Sequence, residues 1–541
     1  MLSYRKLAMR VLGRPLHTGG SDSPRPASQR AAAFVLTAAM LITLAAPAFA
    51  KEWYIEDGNI TVKAGDTKGT NKVSQGESTD VPDTDTVITN REKNASSNTV
   101  TIEAKDKDDK VEVTLKDVNI DTSSRNKAAV SVTGEGDTNI KLDGDNALKS
   151  DIYRSGIYGS GSLTISGGEN DSLTAQGGSG ANGISSSGSL TISGGTVTAN
   201  GDDGGRGISS SGSVTISGGS TVTANGGSGT ISGGDGICSS GGVTISGGST
   251  VTANGGNGGS LVGGDGIRSG GGLTVSDGTV TAKGGNGDSK DGYGGDGIRS
   301  GGVVTISGNT VNAAGGYGGK VGGYGICSFD RVAISGGTVE AAGGNGSTGG
   351  GSGIYSSVID LSGSLELTAK AGSPTGKALL QNGRELNLDT IKDKLGPGAK
   401  VTATDANGDS KQVSIPRPVE PEEPVIPGGS SSSSDGGSAA PSAPASPLPG
   451  LTVTDKDGQR ISYTSTQSGN TLTVCVGRLT ASFRISLAAL RQLRAEGIET
   501  IAFQTILCST TLSVDELLAM GGEDAEAVLT HRFTDSSLTV G

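Results

Sequence analysis

The sequence predicts a mainly β protein: a right-handed parallel β-helix of about ten coils, then a linker and a small α+β domain. Short segments such as Thr-Val-Thr-Ala alternate apolar and hydroxyl side chains, which is the period of a strand. Gly-Gly and Ser-Gly-Gly corners separate the segments, and three strands per coil describe a triangular solenoid. A Gly-Ile dipeptide marks each coil at intervals of 24 to 31 residues, with its isoleucine at Ile157, Ile184, Ile208, Ile237, Ile267, Ile298, Ile326 and Ile354.

Composition alone would also fit a flexible Gly/Ser chain. Glycine accounts for 95 of the 541 residues, and aromatic residues make up only 3%. A flexible chain has no reason to keep its aliphatic residues in phase through eight repeats. A single coil buries too few apolar side chains to offset the entropy of ordering it, so we expect stability to come from stacking.

Residues 1–50 are typical of a signal peptide. Several arginines and lysines precede an apolar run from Ala31 to Ala46, and Ala48-Phe49-Ala50 forms a small-x-small cleavage site. An uncleaved anchor is the alternative. No later apolar stretch approaches the ~18 residues that a membrane helix needs, so we expect no membrane span in the mature chain.

The rest of the chain divides by composition. We expect an N-terminal cap over residues 51–97, the β-helix over 98–376 and a C-terminal cap over 377–415. Residues 416–450 are rich in Pro, Ser and Gly and predict a disordered linker. Residues 451–541 predict an α+β domain, with one helix closed by Gly497 and a second capped by Ser513.

Three segments of the chain resemble a known family: VTLKDVNID (113–121), KAAVSVTGEGDTNIKLDGDNALKS (127–150) and the repeated GI…LTISGGTVTA coils. Together they resemble secreted proteins of Gram-positive bacteria described as carbohydrate-binding domain-containing. The likeness covers roughly residues 85–375. It implies glycan binding on a β-helix, and it implies no particular set of binding residues.

The β-helix region lacks a catalytic set that sequence alone can identify. This region contains no histidine: the two histidines of the chain are His17, in the predicted signal peptide, and His531, in the last domain. The recurring Gly-Gly-Asp-Gly-Ile motif should stack its aspartates as a column of turn carboxylates, with arginines nearby: Asp235, Asp265, Asp296, Arg268 and Arg299. We interpret these aspartates as turn formers and the arginines as solvated, and we expect no enzyme, metal or cofactor.

Net charge and aromatic residues indicate which kinds of partner the protein binds. The formal net charge is −12, and nucleic-acid binding needs a basic face, so we expect no nucleic-acid partner. Sugar rings pack their C–H faces on aromatic rings, and the late coils concentrate such rings. We therefore predict a ligand-binding set that consists of Tyr293, Tyr317, Tyr324, Phe329 and Tyr355. Stiffening of long Gly-rich loops is the equal alternative for these rings.

Two further patterns need an interpretation. Thr-Val-Thr at 196–198, 221–223, 250–252 and 279–281 would place two files of threonine on one face, as in ice-binding solenoids. Threonine is also a good outward strand residue, and we prefer that explanation. Cys238 and Cys327 share one slot three coils apart, too far for a disulfide, so we expect free thiols on the outer wall. Cys475 and Cys508 are a possible disulfide pair of an exported domain.

The sequence thus predicts a secreted or cell-surface binding and adhesion protein that contacts a polysaccharide. A polysaccharide-active, lyase-like enzyme is the first alternative, and an acidic cluster beside Arg268 or Arg299 would favour it. A purely structural surface protein is the second.

Overall fold

The computed structural model describes residues 51–416, and residues 450–540 except 456–458, 462, 469, 477–479, 506–508, 521–524 and 532–535. The predicted signal peptide and most of the predicted linker lie outside the described residues. The chain divides into two compact units at about residue 421.

The first unit is a parallel β-helix of about 13 turns whose coils have three faces. Each coil passes along a first face, turns onto a second and then a third, and loops back to the first face of the next coil. The first-face strands are Ile60–Ala64, Val100–Glu103, Val130–Thr133, Ile157–Gly159, Ile184–Ser186, Ile208–Ser210, Ile237–Ser239, Ile267–Ser269, Ile298–Ser300, Ile326–Ile334, Ile354–Leu361 and Leu379–Gln381.

The strands Ile326–Ile334 and Ile354–Leu361 continue onto the second face. Its other strands are Glu52–Tyr54, Val87–Thr89, Lys110–Lys116, Asp137–Asp143, Ser162–Ser166, Leu190–Ser193, Val214–Ser217, Val243–Ile245, Leu273–Val275 and Val304–Ile306. The third-face strands are Asn119–Asp121, Asp145–Lys149, Ser172–Ser179, Thr196–Asp202, Thr221–Asn225, Ser249–Asn254, Gly278–Lys283, Thr310–Ala314, Thr338–Ala342, Glu366–Lys370 and Lys400–Thr404.

Equivalent residues of successive coils lie directly above one another. Ile237 pairs with Ile267, and Ile267 pairs with Ile298, so the marker isoleucines form one fully buried column. On the third face, Val251 and Ala253 point into the same core while Thr250 and Thr252 point outward. The alternation that predicted strands therefore also builds the core, because period two places every second side chain inside.

The number of coils exceeds the ten expected, because coils without the Gly-Ile marker continue the columns at both ends. Within the predicted N-terminal cap, Trp53 pairs in parallel with Ile88, and Ile60 pairs with Val100. Antiparallel strands Asn71–Gln75 and Ser78–Asp83 add to the first face there. At the other end, Arg384–Glu385 and Ser410–Ser414 pair antiparallel with the last parallel strands. Two 3-10 helices, Ile55–Asp57 and Leu388–Lys394, complete these ends.

Glycine-rich loops between the third and first faces form a hydrogen-bonded layer of their own. Gly256 N–H donates to the Gly234 carbonyl of the preceding coil at 2.8 Å, and Gly264 N–H donates to Gly256 within the same coil. Gly285 of the next coil then donates to Gly264, also at 2.8 Å. The backbones of adjacent loops approach so closely that a Cβ on Gly264 would lie 1.9 Å from the Gly234 carbonyl oxygen. The repeated Gly-Gly pairs are therefore a packing requirement as well as corners.

The second unit has the predicted α+β composition. Its described residues contain two helices, Leu487–Ala495 and Val514–Ala519, whose N-terminal N–H groups are capped by Ser486 and Ser513. Its described strands form two four-stranded sheets: Leu451–Thr454, Ala481–Ser486, Glu526–His531 and Ser536–Val540 in one, and Thr464–Ser468, Thr471–Cys475, Thr500–Gln504 and Ser509–Ser513 in the other. Gly497 follows the first helix at φ 91°, as the sequence predicts.

Candidate binding groove

On each first-face strand, one residue follows the marker isoleucine or the valine that takes its place in the column. The side chain of this following residue points away from the core. On the strand Ile267–Ser269, for example, Ile267 and Ser269 are buried while Arg268 is exposed. In-register pairing places these outward residues in one file, which we call the outer column. It consists of Thr101, Ser131, Tyr158, Ser185, Ser209, Cys238, Arg268, Arg299, Cys327 and Tyr355.

The recurring aspartates stack beside the outer column, as predicted. Asp235 Oδ1 accepts the backbone N–H of Asp265 at 2.9 Å, and Asp265 Oδ1 accepts that of Asp296 at 2.7 Å. Asp296 Oδ1 in turn accepts the N–H of Tyr324 at 2.7 Å. We call these three aspartates the acid column. All three are at most 6% exposed, so they are structural partners of the loop backbone and lie below the surface.

Arginines of the outer column cover the acid column. Arg299 Nε lies 3.1 Å from Asp265 Oδ2, and Arg299 Nη2 lies 2.9 Å from Asp296 Oδ2. Arg206, which occupies the acid-column slot one coil earlier, places its Nε 3.2 Å from Asp235 Oδ2. The structure therefore corrects our view of Arg299 as merely solvated, because this guanidinium bridges two buried carboxylates.

Burial dominates the titration of the acid column. Burial and the negative charge of Asp265 together raise the pKa of Asp296 to about 7, and Arg299 opposes that shift. Burial also raises the pKa of Asp265, against the attraction of Arg299. Neither Asp296 Oδ2 nor Arg299 Nε has a partner with hydrogen-bond geometry, so their short contacts are ion pairs only. The ionised form of Asp296 is consequently poorly solvated.

We expect Asp296 to make the solenoid less stable as the pH rises. Its pKa in the folded protein is raised to about 7, whereas an unfolded aspartate titrates near ~3.9. Its contribution is therefore fully present below about pH 4 and is lost as the pH rises through about 7. In Asp296→Asn, which keeps an oxygen for Tyr324 N–H, the free energy of unfolding between pH 5 and pH 7 should lose this downward slope of about 1 kcal/mol per pH unit.

Urea denaturation at several pH values measures that slope, and the exposed Asp288→Asn is the matched control. An unchanged slope in Asp296→Asn would contradict the assignment. The other charged or titratable groups around Asp296 are Asp265, Arg268, Arg299, Tyr324 and Cys327.

Cys238 and Cys327 are free thiols in the outer column, three coils apart, as predicted. Cys327 is only 1% exposed, so it does not lie open on the outer wall. Burial raises the pKa of Cys238 to about 11 and that of Cys327 to about 12, which keeps both protonated and unreactive. In the second unit, Cys475 Sγ lies 3.4 Å from Gln504 Oε1. Cys508 lies outside the described residues, so its pairing with Cys475 stays a prediction.

The structure shows one ring contact among the five predicted aromatic residues. Tyr324 and Tyr355 of adjacent coils stack with ring centroids 5.1 Å apart. Tyr293 lies on a Gly-rich loop with Lys320 Nζ 5.7 Å from its ring centroid. Tyr317 is an exposed loop residue, and Phe329 lies at the turn from the first to the second face. Only Tyr355 belongs to the outer column, with Tyr324 beside it.

The sequence analysis missed a pair of tyrosines near the start of the outer column. Tyr158 follows a marker isoleucine, and Tyr153 lies in the preceding turn with φ 58° and a 78% exposed side chain. They line an N-terminal cavity of about 590 Å³ together with Asn126, Lys127, Arg154 and other polar residues. The signal for Tyr158 was present, since it occupies the slot that Tyr355 and Arg268 fill in later coils.

A central cavity of about 710 Å³ follows along the same face. Its lining includes Arg206, Arg268 and Arg299 with two members of the acid column, Asp235 and Asp265. The two cavities adjoin. An added Cβ on Gly180, which lines the central cavity, would lie 2.9 Å from the ring of Tyr153, which lines the N-terminal one. We call the two cavities together the groove; from Thr101 to Arg299 it spans seven coil steps, about 34 Å at ~4.8 Å per step.

The structure therefore defines the chain as a parallel β-helix with a polar, partly aromatic groove on one face, joined to a separate α+β unit. No protein-family model, no curated protein and no solved structure matches the chain. Neither helix in the described part of the chain is long and apolar enough to cross a membrane.

Proposed function

We propose that this is a secreted or cell-surface binding and adhesion protein whose β-helix holds a glycan chain in the groove. The observation that carries the proposal is the N-terminal cavity, where two exposed tyrosine rings stand among hydroxyl, amide and cationic side chains. A sugar offers an apolar ring face and a rim of hydroxyl groups. It therefore needs this combination of aromatic surface and hydrogen-bonding groups.

The solenoid supports the proposal through its rigidity. Tyr158 lies on a strand that pairs with a strand on each side, and the guanidinium of Arg154 contacts Asn126 Oδ1 at 3.4 Å. A repeating polymer gains from a binding surface that also repeats, because each coil can contact the next part of the chain without reordering.

A glycan array with the purified protein tests the proposal. We expect binding to at least one polysaccharide, and a loss of about tenfold or more in Tyr153→Ala/Tyr158→Ala because about 1–3 kcal/mol of aromatic contact is removed. Val358→Ala is the control, since this exposed apolar side chain on the second face lies outside the groove and its removal should leave binding unchanged. Absence of binding to every glycan, or equal loss in both variants, would refute the proposal.

The location of the protein is part of the same proposal. Residues 1–50 carry a basic segment, an apolar run and a small-x-small site, which supports export. Cell fractionation with an antibody against the β-helix should find the protein in the medium or on the cell surface. Recovery from the cytoplasm alone would rule out an adhesive role.

A second candidate function, a polysaccharide-active enzyme, is favoured by one observation. The acid column does lie beside Arg268 and Arg299, and carboxyl groups with a raised pKa mark active sites in many enzymes. The burial of all three carboxylates speaks against it, because a bound sugar would meet the arginines first. Incubation of acidic polysaccharides with the protein and Ca²⁺ tests it, and appearance of an unsaturated product would favour the enzyme.

A further inference from the structure

The groove differs in charge from the rest of the molecule. Its lining contains five basic side chains, Lys127, Arg154, Arg206, Arg268 and Arg299, and two acidic ones, Asp235 and Asp265. The whole chain has the opposite balance, with a formal net charge of −12. A concentration of positive charge in a concave site on an acidic protein attracts anions to that site.

Arg268 has the most open guanidinium of the three arginines that line the central cavity. The side chain of Arg268 is 54% exposed, and its one ion pair in the described structure is a long one, 3.9 Å from Nη1 to Asp265 Oδ2. Asp265 Oδ2 is already held by Arg299 at 3.1 Å. Arg268 therefore has planar N–H donors that the protein leaves available, and this geometry matches a carboxylate in a bidentate arrangement.

We propose that the groove selects polysaccharides whose sugars carry carboxylates, and that Arg268 binds one of these carboxylates directly. This inference rests on the proposed function. Arg154, Arg206 and Arg299 lie in other coils on both sides of Arg268, so successive carboxylates of an extended chain can meet successive cations. A neutral glycan would leave these donors facing water and would gain nothing from them.

Nucleic acid is the other long polyanion, and the molecule disfavours it. Acidic side chains outside the groove repel a duplex or a single strand that would extend beyond a site about 34 Å long. The groove also provides only two tyrosines, whereas binding of single strands relies on a series of stacked bases.

Isothermal titration of the full-length protein tests the inference with three probes: an oligogalacturonate, the same oligomer fully methyl-esterified, and a single-stranded oligonucleotide of equal charge. We expect the acid form to bind at least tenfold more tightly than the ester and the oligonucleotide. Arg268→Ala should weaken binding of the acid form about tenfold and leave binding of the ester unchanged. The affinity of Arg268→Lys for the acid form should lie between the affinities of the wild type and of Arg268→Ala.

Arg331→Ala is the matched control, because Arg331 is exposed on the second face outside the groove and its loss should change nothing. Circular dichroism of each variant verifies that the fold is retained. Equal affinity for acid and ester, tight oligonucleotide binding, or an unaffected Arg268→Ala would overturn the inference. If the inference is overturned but neutral glycans bind on the array, the proposed function of glycan binding still holds. If no glycan binds at all, the proposed function and the inference are both refuted.

Discussion

Replacing Gly264 with alanine is expected to lower the free energy of unfolding of the β-helix by about 3 kcal/mol or more. The new Cβ would lie 1.9 Å from the Gly234 carbonyl oxygen and 2.4 Å from its carbonyl carbon. These atoms belong to backbone that is itself hydrogen-bonded in the glycine layer, so they cannot move without breaking neighbouring bonds. Urea denaturation followed by circular dichroism measures the change.

Gly159→Ala is the matched control for this steric argument. Gly159 also lies in a coil of the solenoid, but its added Cβ would meet nothing closer than 3.7 Å, and the next coil has a serine at the paired position. We expect its stability to be unchanged or slightly increased, because alanine restricts the unfolded chain. Equal stability of the Gly264 and Gly159 variants would show that the glycine layer is not closely packed.

Replacing Ile267 with aspartate is expected to have an even larger effect, about 5 kcal/mol or more. Ile267 is fully buried between Ile237 and Ile298 of the adjacent coils. The substitution removes their contacts and places a carboxylate in the aliphatic column. Because each coil depends on its neighbours, we also expect protease sensitivity to appear first in the loops around this coil.

Thr274→Asp tests whether position or charge is responsible. Thr274 lies in the same coil but points outward and is exposed, so the same charge there remains hydrated. The free energy of unfolding of this variant should differ from that of the wild type by no more than an ordinary surface substitution causes, about 0.5 kcal/mol. A wild-type midpoint for Ile267→Asp would mean that this side chain does not lie in a packed core.

The repeating coils could be predicted because their local and long-range signals coincide. The Gly-Ile marker sets the coil, and Thr-Val-Thr-Ala gives the alternation that the third face uses. The coils near Trp53 and Ile60, which the sequence analysis took as a cap, have no such marker: their strands are followed by polar turns rather than Gly-Gly corners. They join the solenoid through parallel pairing with strands about 35 to 40 residues further on, and spacing within one sequence does not reveal that pairing.

The groove was only partly predictable. The column of aspartates followed directly from the repeat, and so did the slot shared by Cys238 and Cys327. The burial of Asp296 did not, because it depends on Arg299 and Tyr324 covering the loop. The five late aromatics were grouped by proximity in sequence, and the structure brings the rings of two of them, Tyr324 and Tyr355, into contact.

Small-angle X-ray scattering of purified residues 51–416 tests the central claim most directly, namely that aliphatic residues of successive coils stack into continuous columns and align the groove residues on one face. About 13 turns at ~4.8 Å per turn predict a rigid rod about 60 Å long with a constant cross-section. A scattering profile of a flexible chain, or of a globule without a long axis, would contradict it.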